Sequence, residues 1–267
     1  MKIRIIFWSF LVLFTHKIVS QSTASKQVTK FIIEAPQLDT TKTIWVYLSK
    51  SYQNSQNAYP VYFMHDAQNL FDDKSSYVGE WKIDEYLDSL KSQEIIVIGI
   101  EHGGEKRIGE LTPYKNEKYG GGNGINYINF IKNTLKPHID INYRTLSDSK
   151  NTTIFGSSLG GLISFYAAIK FPRTFGKAGI FSPAFWINKK IYGLIQETEI
   201  NKDLRFFFLI GTEEGEDVVN DVETMVDQLK KYGLKAKNIK RRVIEGGQHN
   251  ESFWSNYFPE AHQWLEQ

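Results

Sequence analysis

A serine inside a glycine-flanked pentapeptide is the residue best placed for chemistry in this sequence. Gly156-Ser157-Ser158-Leu159-Gly160 follows a β-branched and aromatic run, 152–155, and precedes an apolar, helix-compatible segment, 162–169. Glycines two residues before and two after Ser158 permit a sharp strand-to-helix turn that pushes the hydroxyl outward. A glycine-rich turn could instead hold a phosphate, but no lysine follows as a P-loop requires. The pattern therefore predicts Ser158 as a nucleophile.

A serine hydroxyl needs a base within hydrogen-bond reach to act as a nucleophile near neutral pH. The sequence has six histidines, and only His249 follows a late predicted strand on a glycine-rich loop. A lone loop histidine is more often a surface residue, but Gly246 and Gly247 would let this loop swing the imidazole over Ser158. We therefore predict His249 as the base.

A third group must hold the imidazole in the correct tautomer. Four carboxylates follow the predicted strand 204–210: Glu213, Glu214, Glu216 and Asp217. The chain order serine, acid, histidine is that of α/β-hydrolases. We choose Glu214 as the acid, with Asp217 as the next alternative, because some of these carboxylates could simply cap the helix that begins near Val218.

The developing oxyanion needs preorganised hydrogen-bond donors. One should be the backbone N–H of Leu159, the residue after the nucleophile. The second should come from the loop after the predicted strand 59–64, and we expect the N–H of Gln68 there. Both donors are backbone groups, so the identity of the side chain at either position does not test these roles.

The elements that must position these residues alternate between strands and helices. Apolar strand patterns occur at 59–64, 94–100, 178–181, 204–210 and 239–244, and helical patterns occur at 81–90, 125–139, 218–232 and 252–265. Two earlier runs, 28–34 and 43–48, predict an antiparallel start to the sheet. The chain is therefore predicted to be α/β, with the α/β-hydrolase fold and a mostly parallel central sheet covered by helices on both faces. In such sheets ligands bind at the carboxyl ends of the strands, where Ser158, Glu214 and His249 fall.

The first twenty residues differ from the rest. Lys2 and Arg4 precede an apolar run, 5–14, that is too short to span a bilayer comfortably. This pattern predicts a signal peptide over 1–20, one catalytic domain over 21–267, and export to the periplasm or the medium without stable membrane insertion. An uncleaved N-terminal anchor is the alternative. The formal net charge of +2 becomes −1 once the three basic residues of 1–20 are removed. The charge of the remaining chain therefore gives no indication of nucleic-acid binding. There is no cysteine, which excludes disulfides and thiolate metal sites, and we expect no metal and no cofactor.

The chain resembles the putative-esterase family of α/β-hydrolases, which includes enterochelin-type siderophore esterases and feruloyl and acetyl xylan esterases. The matching segments are MHDAQNLFD (64–72), EWKIDE (80–85), VIGIEHG…R…ELTPY (97–114), LKPHIDINYRT (135–145), FGSSLGGLIS (155–164), FGKAGIFSPAFW (175–186), GTEEG (211–215) and GGQHNESFW (247–254). The resemblance implies Ser158 as nucleophile, His249 as base and, from feruloyl-esterase relatives, Glu214 as acid. Some siderophore esterases use a Ser-His dyad, so the acid stays open.

Two further residues lie in loops that should border the pocket and contact substrate, Arg107 and Trp186. Trp186 follows a predicted strand end, where an aromatic wall could meet an acyl or aryl group. Ordinary packing is the alternative for Trp186, and pairing with Glu110 is the alternative for Arg107.

These residues favour an exported serine esterase that acts on a small-molecule or carbohydrate-linked ester. An ester on a plant polysaccharide and a siderophore ester are the two substrate hypotheses. An acyltransferase with a sugar or alcohol acceptor would use the same residues. A catalytically dead binding protein is disfavoured, because nucleophile, base and acid are all present.

Overall fold

The computed structural model describes residues 22–267, so the signal peptide predicted over 1–20 lies outside the described residues. Eight strands form one sheet. They are β1 (Val28–Ala35), β2 (Thr40–Tyr47), β3 (Val61–His65), β4 (Ile96–Ile100), β5 (Thr152–Ser157), β6 (Lys177–Phe181), β7 (Arg205–Gly211) and β8 (Ile239–Ile244). Every strand that the hydrophobic patterns predicted is present, with ends shifted by at most three residues.

The strand order across the sheet is β1-β2-β4-β3-β5-β6-β7-β8. β1 and β2 pair antiparallel, β2 pairs antiparallel with β4, and every other neighbouring pair is parallel. The predicted α/β-hydrolase fold and its antiparallel start are therefore confirmed. The parallel strands end at the same edge of the sheet, which brings the turns after β3, β5, β6, β7 and β8 together.

Eight α-helices accompany the sheet over the described part of the chain. They are α1 (Ile83–Asp88), α2 (Arg107–Leu111), α3 (Gly124–Phe130), α4 (Lys136–Asn142), α5 (Leu159–Lys170), α6 (Lys190–Gln196), α7 (Glu216–Lys231) and α8 (Glu251–Leu265). A π-helical turn, Ile131–Leu135, joins α3 to α4, so the single helix predicted over 125–139 is one continuous helical stretch. The sequence patterns missed α2, which lies in the segment 101–124 predicted to be loop, and α6.

The sheet separates two apolar cores. Alternate side chains of β3 illustrate this, because Phe63 faces the core that α3, α5, α6 and α7 cover, whereas Tyr62 faces the core that α1 and α8 cover. In α5, all residues from Leu159 to Ile169 are buried. The helix that follows Ser158 is therefore fixed on every side, which holds its first turn rigidly relative to the sheet.

The first described residues are tied to acidic side chains near α1. Ser22 Oγ donates to Asp72, Thr23 Oγ1 donates to Glu80, and the Ser25 backbone N–H donates to Asp84 at 2.6 Å. The segment 22–25 is thus bound to the domain ahead of β1. Among residues 22–267, no helix is long and apolar enough to cross a membrane.

Candidate active site

Ser158 sits between β5 and α5 in a backbone conformation that non-glycine residues rarely adopt, with φ 55° and ψ −120°. Such a residue costs about 1–3 kcal/mol and persists only where its surroundings enforce it. Gly156 shows why the turn needs glycine. A Cβ there would lie 2.8 Å from the Gly160 carbonyl carbon and 2.9 Å from His65 Cδ2. The strand-turn-helix geometry predicted for this motif is therefore present.

The end of β6 holds this turn in place. The Ser158 N–H donates to the Phe181 carbonyl at 2.9 Å, and the Ala184 N–H donates to the Ser158 carbonyl at 3.1 Å. Both backbone groups of Ser158 are therefore bound by the neighbouring strand and its turn, which leaves only the side chain free to move.

His249 lies on the loop between β8 and α8 and contacts Glu214 on the turn after β7. His249 Nδ1 is 2.6 Å from Glu214 Oε2. The Glu214 side chain is 2% exposed and that of His249 is 45% exposed, so a buried carboxylate orients an accessible imidazole. Of the four candidate carboxylates, Glu214 is the one that contacts His249. Glu213 instead accepts a hydrogen bond from Gln248, and Glu216 and Asp217 form the first turn of α7.

The second oxygen of Glu214 is also bound. Glu214 Oε1 accepts hydrogen bonds from Ser182 Oγ at 2.5 Å and from the Gly211 N–H at 3.0 Å. Ser182 Oγ in turn accepts a hydrogen bond from Trp254 Nε1 at 2.8 Å. Both carboxylate oxygens therefore have hydrogen-bond partners, and these bonds hold the Glu214 side chain in the rotamer that faces His249.

Ser158 and His249 line one cavity of about 650 Å³ at the carboxyl edge of the sheet. Its walls consist of His65, Asp66, Asn69, Leu70, Tyr77, Val78, Trp81, His102, Arg107, Ser157, Ser158, His249, Asn250, Glu251 and Trp254. No hydrogen bond joins Ser158 Oγ to His249 within residues 22–267. Such contacts commonly tighten when substrate binds.

The two predicted oxyanion donors lie at neighbouring turns. Leu159 is the first residue of α5, so its N–H has no intrahelical acceptor. Gln68 lies in the turn after β3, and β3 pairs with β5. The Gln68 side chain exchanges hydrogen bonds with the His102 backbone at 3.2 and 3.4 Å. No hydrogen bond within the described residues uses the backbone N–H of Gln68 or Leu159, so both are available to a ligand.

Arg107 lines the cavity, but its partner is Asp66 and not Glu110. The guanidinium donates to both Asp66 oxygens, at 2.7 and 2.8 Å. Burial alone would raise the pKa of Asp66, but the hydrogen bonds and charge of Arg107 outweigh burial and hold that pKa below its ordinary value. Glu110 is instead buried against Lys42, with Nζ 2.5 Å from Oε2.

Trp186 does not line the cavity. Its ring is 48% exposed and meets the Tyr119 ring edge-on at a centroid distance of 5.8 Å. The predicted contact between Trp186 and substrate therefore has no support in this geometry. The aromatic walls of the cavity come from Tyr77, Trp81 and Trp254, which sequence reasoning did not assign.

His65 and Glu251 are two ionisable residues of the cavity that the sequence patterns did not assign. His65 Nδ1 is 2.8 Å from the Tyr127 hydroxyl, and burial lowers the pKa of His65 to about 4, so its imidazole is neutral. Glu251 follows His249 by two residues and begins α8. The motif GGQHNESFW contained the signal for Glu251, but a carboxylate there reads equally well as a helix cap.

A group of carboxylates outside the cavity has metal-like spacing. Ligand oxygens of Glu80, Asp84 and Glu85 all lie within 4.8 Å of one another. Glu80 and Asp84 bind the segment 22–25, and none of the three carboxylates lines the cavity that contains Ser158 and His249. Burial raises the pKa of Glu80 to about 7 and that of Asp84 to about 8, which is the response expected of clustered carboxylates without a counter-charge.

The sheet has eight strands, a strained serine lies at the β5–α5 turn, and a histidine bound to a carboxylate lies at the carboxyl edge of the sheet. Together these features define a serine hydrolase with the α/β-hydrolase fold. The family model described as Putative esterase matches residues 35–265. The chain therefore belongs to this family and is an esterase.

Individual relatives agree with this placement. Uncharacterized protein YbbA of Bacillus subtilis (strain 168) is 26% identical over an alignment of 233 positions that covers 82% of this chain and 90% of that protein. An IroE-like serine hydrolase from Shewanella oneidensis has a TM-score of 0.72 at 18% identity, covering 88% of this chain and 79% of that one. The enterobactin esterase FES from Shigella flexneri has a TM-score of 0.72 at 16% identity, covering 91% and 58%. A ferulic acid esterase has a TM-score of 0.67 at 16% identity, covering 90% and 97%.

Proposed function

We propose that this esterase is exported and hydrolyses carboxylic esters through a Ser158-His249-Glu214 triad and an acyl-enzyme. The observation that carries the proposal is the 2.6 Å contact between His249 Nδ1 and the buried Glu214 carboxylate, beside a serine in a strained strand-to-helix turn. Glu214 would hold the proton on Nδ1, which leaves Nε2 free to act as the base.

In the acylation step, His249 Nε2 takes the Ser158 hydroxyl proton as Oγ attacks the ester carbonyl. The N–H groups of Leu159 and Gln68 stabilise the resulting oxyanion. The intermediate collapses, the bond to the alcohol oxygen breaks, and His249 gives its proton to the departing alcohol. Ser158 then carries the acyl group as an ester.

Water completes the cycle. His249 accepts a proton from the attacking water, a second tetrahedral intermediate forms in the same oxyanion site, and the carboxylic acid leaves as Ser158 regains its proton. About half of the His249 side-chain surface is exposed, so water reaches the base without a lid movement. This access favours hydrolysis over transfer to a sugar or alcohol.

The substrate hypotheses are acyl or aryl esters of carbohydrates and siderophore esters. Two structural neighbours are a ferulic acid esterase and an enterobactin esterase, which gives each hypothesis one relative. The cavity walls combine aromatic rings with polar side chains, a lining suited to a hydroxylated ester.

Acyl-enzyme trapping tests the proposal. The protein is mixed with excess p-nitrophenyl acetate, quenched in acid and analysed by intact and peptide mass spectrometry. We expect one acetyl group on Ser158 and a burst of p-nitrophenol, both absent from Ser158→Ala. Steady turnover by a correctly folded Ser158→Ala protein would overturn the assignment.

A second arm separates hydrolase from transferase. The same ester is supplied with abundant sugar acceptor, and the products are weighed. Free acetate as the main product supports hydrolysis. Acetylated sugar as the main product would assign the chain to the acyltransferases.

A further inference from the structure

The catalytic cavity carries more negative than positive charge. Apart from its three histidines and Tyr77, three ionisable side chains line it: Asp66, Arg107 and Glu251. Asp66 binds the Arg107 guanidinium through two hydrogen bonds, so this pair contributes no net charge. Glu251 is then the group that decides the sign of the cavity.

The histidines of the cavity do not offset Glu251. Burial lowers the pKa of His65 to about 4, so it is neutral near pH 7. His102 Nδ1 accepts a hydrogen bond from the Gly104 N–H at 3.0 Å, so that nitrogen carries no proton. His249 works in its neutral form as the base.

Glu251 is held in the cavity wall without a cation of its own. The residue is 6% exposed, and its Oε1 accepts a hydrogen bond from Asn69 Nδ2 at 3.1 Å. No lysine or arginine within residues 22–267 hydrogen-bonds to Glu251 or forms a salt bridge with it. Burial is the main cause that raises the pKa of Glu251, the charge of Asp66 adds to it, and the Asn69 hydrogen bond and nearby His249 offset only part of this rise.

We infer that Glu251 is a specificity-determining residue that makes the cavity select esters which are neutral or cationic near the scissile bond and disfavour anionic ones. The inference rests on the proposed esterase function and narrows its substrate class. An anionic group brought beside Glu251 meets repulsion that a partly water-excluded site screens poorly. Neutral hydroxylated esters, such as those of sugars, suit this cavity. Iron-loaded catecholate esters, which are anionic, do not.

Three matched p-nitrophenyl esters test the inference directly. They are the butyrate, the 3-sulfopropanoate and the 4-trimethylammoniobutyrate, which are neutral, anionic and cationic at every working pH. We expect the wild-type kcat/KM for the sulfonate to be lower than that for the butyrate by roughly tenfold or more, and the deficit to shrink as salt is added. A second set of three esters, with the charge on the alcohol instead of on the acyl group, tests whether the cavity discriminates by charge on the alcohol side of the scissile bond.

Glu251→Gln tests the residue, because glutamine keeps an oxygen for Asn69 Nδ2 and loses only the charge. We expect the sulfonate-to-butyrate ratio to rise by about tenfold in this variant and the preference for the cation to disappear. Glu216→Gln, which removes an exposed carboxylate outside the cavity, is the matched control and should leave both ratios at the wild-type value. Lowering the pH through the raised pKa of Glu251 should protonate it and reduce discrimination against the sulfonate in the wild type.

The outcomes distinguish this inference from the proposed function. Equal wild-type kcat/KM for sulfonate and butyrate, or a wild-type ratio that persists in Glu251→Gln, would overturn the role of Glu251 and leave the esterase in place. Failure to hydrolyse any of the three esters would instead contradict the proposed hydrolase. The salt and pH arms use the wild-type protein, so they decide the question even if Glu251→Gln folds poorly.

Discussion

Ser182 Oγ lies 2.5 Å from Glu214 Oε1, while Glu214 Oε2 lies 2.6 Å from His249 Nδ1. One carboxylate is thus held on one side by a hydroxyl of the turn after β6 and on the other by the imidazole. The turn that holds Glu214 also holds Ser158, through the Ala184 N–H. The proposed nucleophile and the proposed acid therefore share one support, although they follow different strands.

Removing the Ser182 hydroxyl should harm both activity and stability. Ser182→Ala frees the Glu214 carboxylate to rotate, so we expect kcat to fall by roughly 10- to 100-fold. It also leaves the Trp254 indole N–H buried without an acceptor, at about 1–3 kcal/mol of unfolding free energy. Esterase assays and urea denaturation measure the two effects. Ser164→Ala, which removes a buried serine hydroxyl bonded to the Gly160 carbonyl within α5, is the control and should lose stability without a comparable loss in kcat.

The identity of the acid can be tested by a matched pair. Glu214→Gln keeps the shape and removes the charge that stabilises the His249 imidazolium, so we expect kcat to fall by roughly 10²–10⁴ with a smaller change in KM. Asp217→Asn, at the start of α7, should stay near the wild-type rate. A large loss in Asp217→Asn alone would move the acid by three residues, and no loss in either variant would indicate a Ser-His dyad.

The strained turn predicts a difference between two inactive variants. Ser158→Ala keeps a Cβ and its strain at φ 55°, whereas Ser158→Gly removes the strain. We expect Ser158→Gly to be more stable than Ser158→Ala by about 1 kcal/mol, because the relieved strain exceeds the entropic cost of glycine. Thermal and urea unfolding of the two proteins decide this. Equal stabilities would mean that the turn is relaxed in solution.

The carboxylates beside the segment 22–25 predict a pH effect on stability. The pKa of Asp84 is about 8 in the folded protein and about 4 in an unfolded chain, so the folded state binds more protons between these values. Stability should therefore fall as pH rises from about 4 to 8. Asp84→Asn removes this contribution, so its unfolding free energy should lose less between pH 5 and pH 8.5 than that of the wild type.

Asp227→Asn, an exposed carboxylate of α7, is the control for Asp84→Asn and should follow the wild-type pH profile. Repeating the wild-type unfolding measurement at pH 8.5, first with millimolar CaCl₂ and then with EDTA, shows whether the cluster binds a metal cation as well as protons. A reversible rise in melting temperature on adding calcium would assign the Glu80-Asp84-Glu85 cluster to a metal.

The sequence patterns predicted the inner strands of the sheet well, because β3, β4 and β7 are buried on both faces and are therefore apolar almost throughout. Short or exposed elements were harder. α2 is five residues long and carries Arg107 and Glu110, so its pattern resembles a polar loop. The partners of those two side chains depend on β2 and on the turn after β3, which lie far away in the chain.

The acid and the cavity walls show a similar limit. Glu214 could not be separated from Asp217 by pattern alone, because the start of α7 decides which carboxylates face His249 and which cap the helix. Tyr77, Trp81 and Trp254 read as ordinary aromatic residues in the sequence. Trp186, which followed a strand end, points to Tyr119 instead of the cavity. Only the tertiary arrangement distinguishes these cases.

The contact between Gly211 and Gly247 has a consequence for how this scaffold can diversify. A Cβ on Gly211 would lie 2.7 Å from Gly247 Cα, and the Glu213 N–H donates to the Gly247 carbonyl at 3.0 Å, so the loops that carry Glu214 and His249 form one unit. The walls that meet the ester come mainly from other segments, 65–81 and 102–107. Mutations in those segments can alter which ester is accepted while His249 and Glu214 keep their geometry. Closely related chains can therefore share one reaction and differ in the esters that they accept.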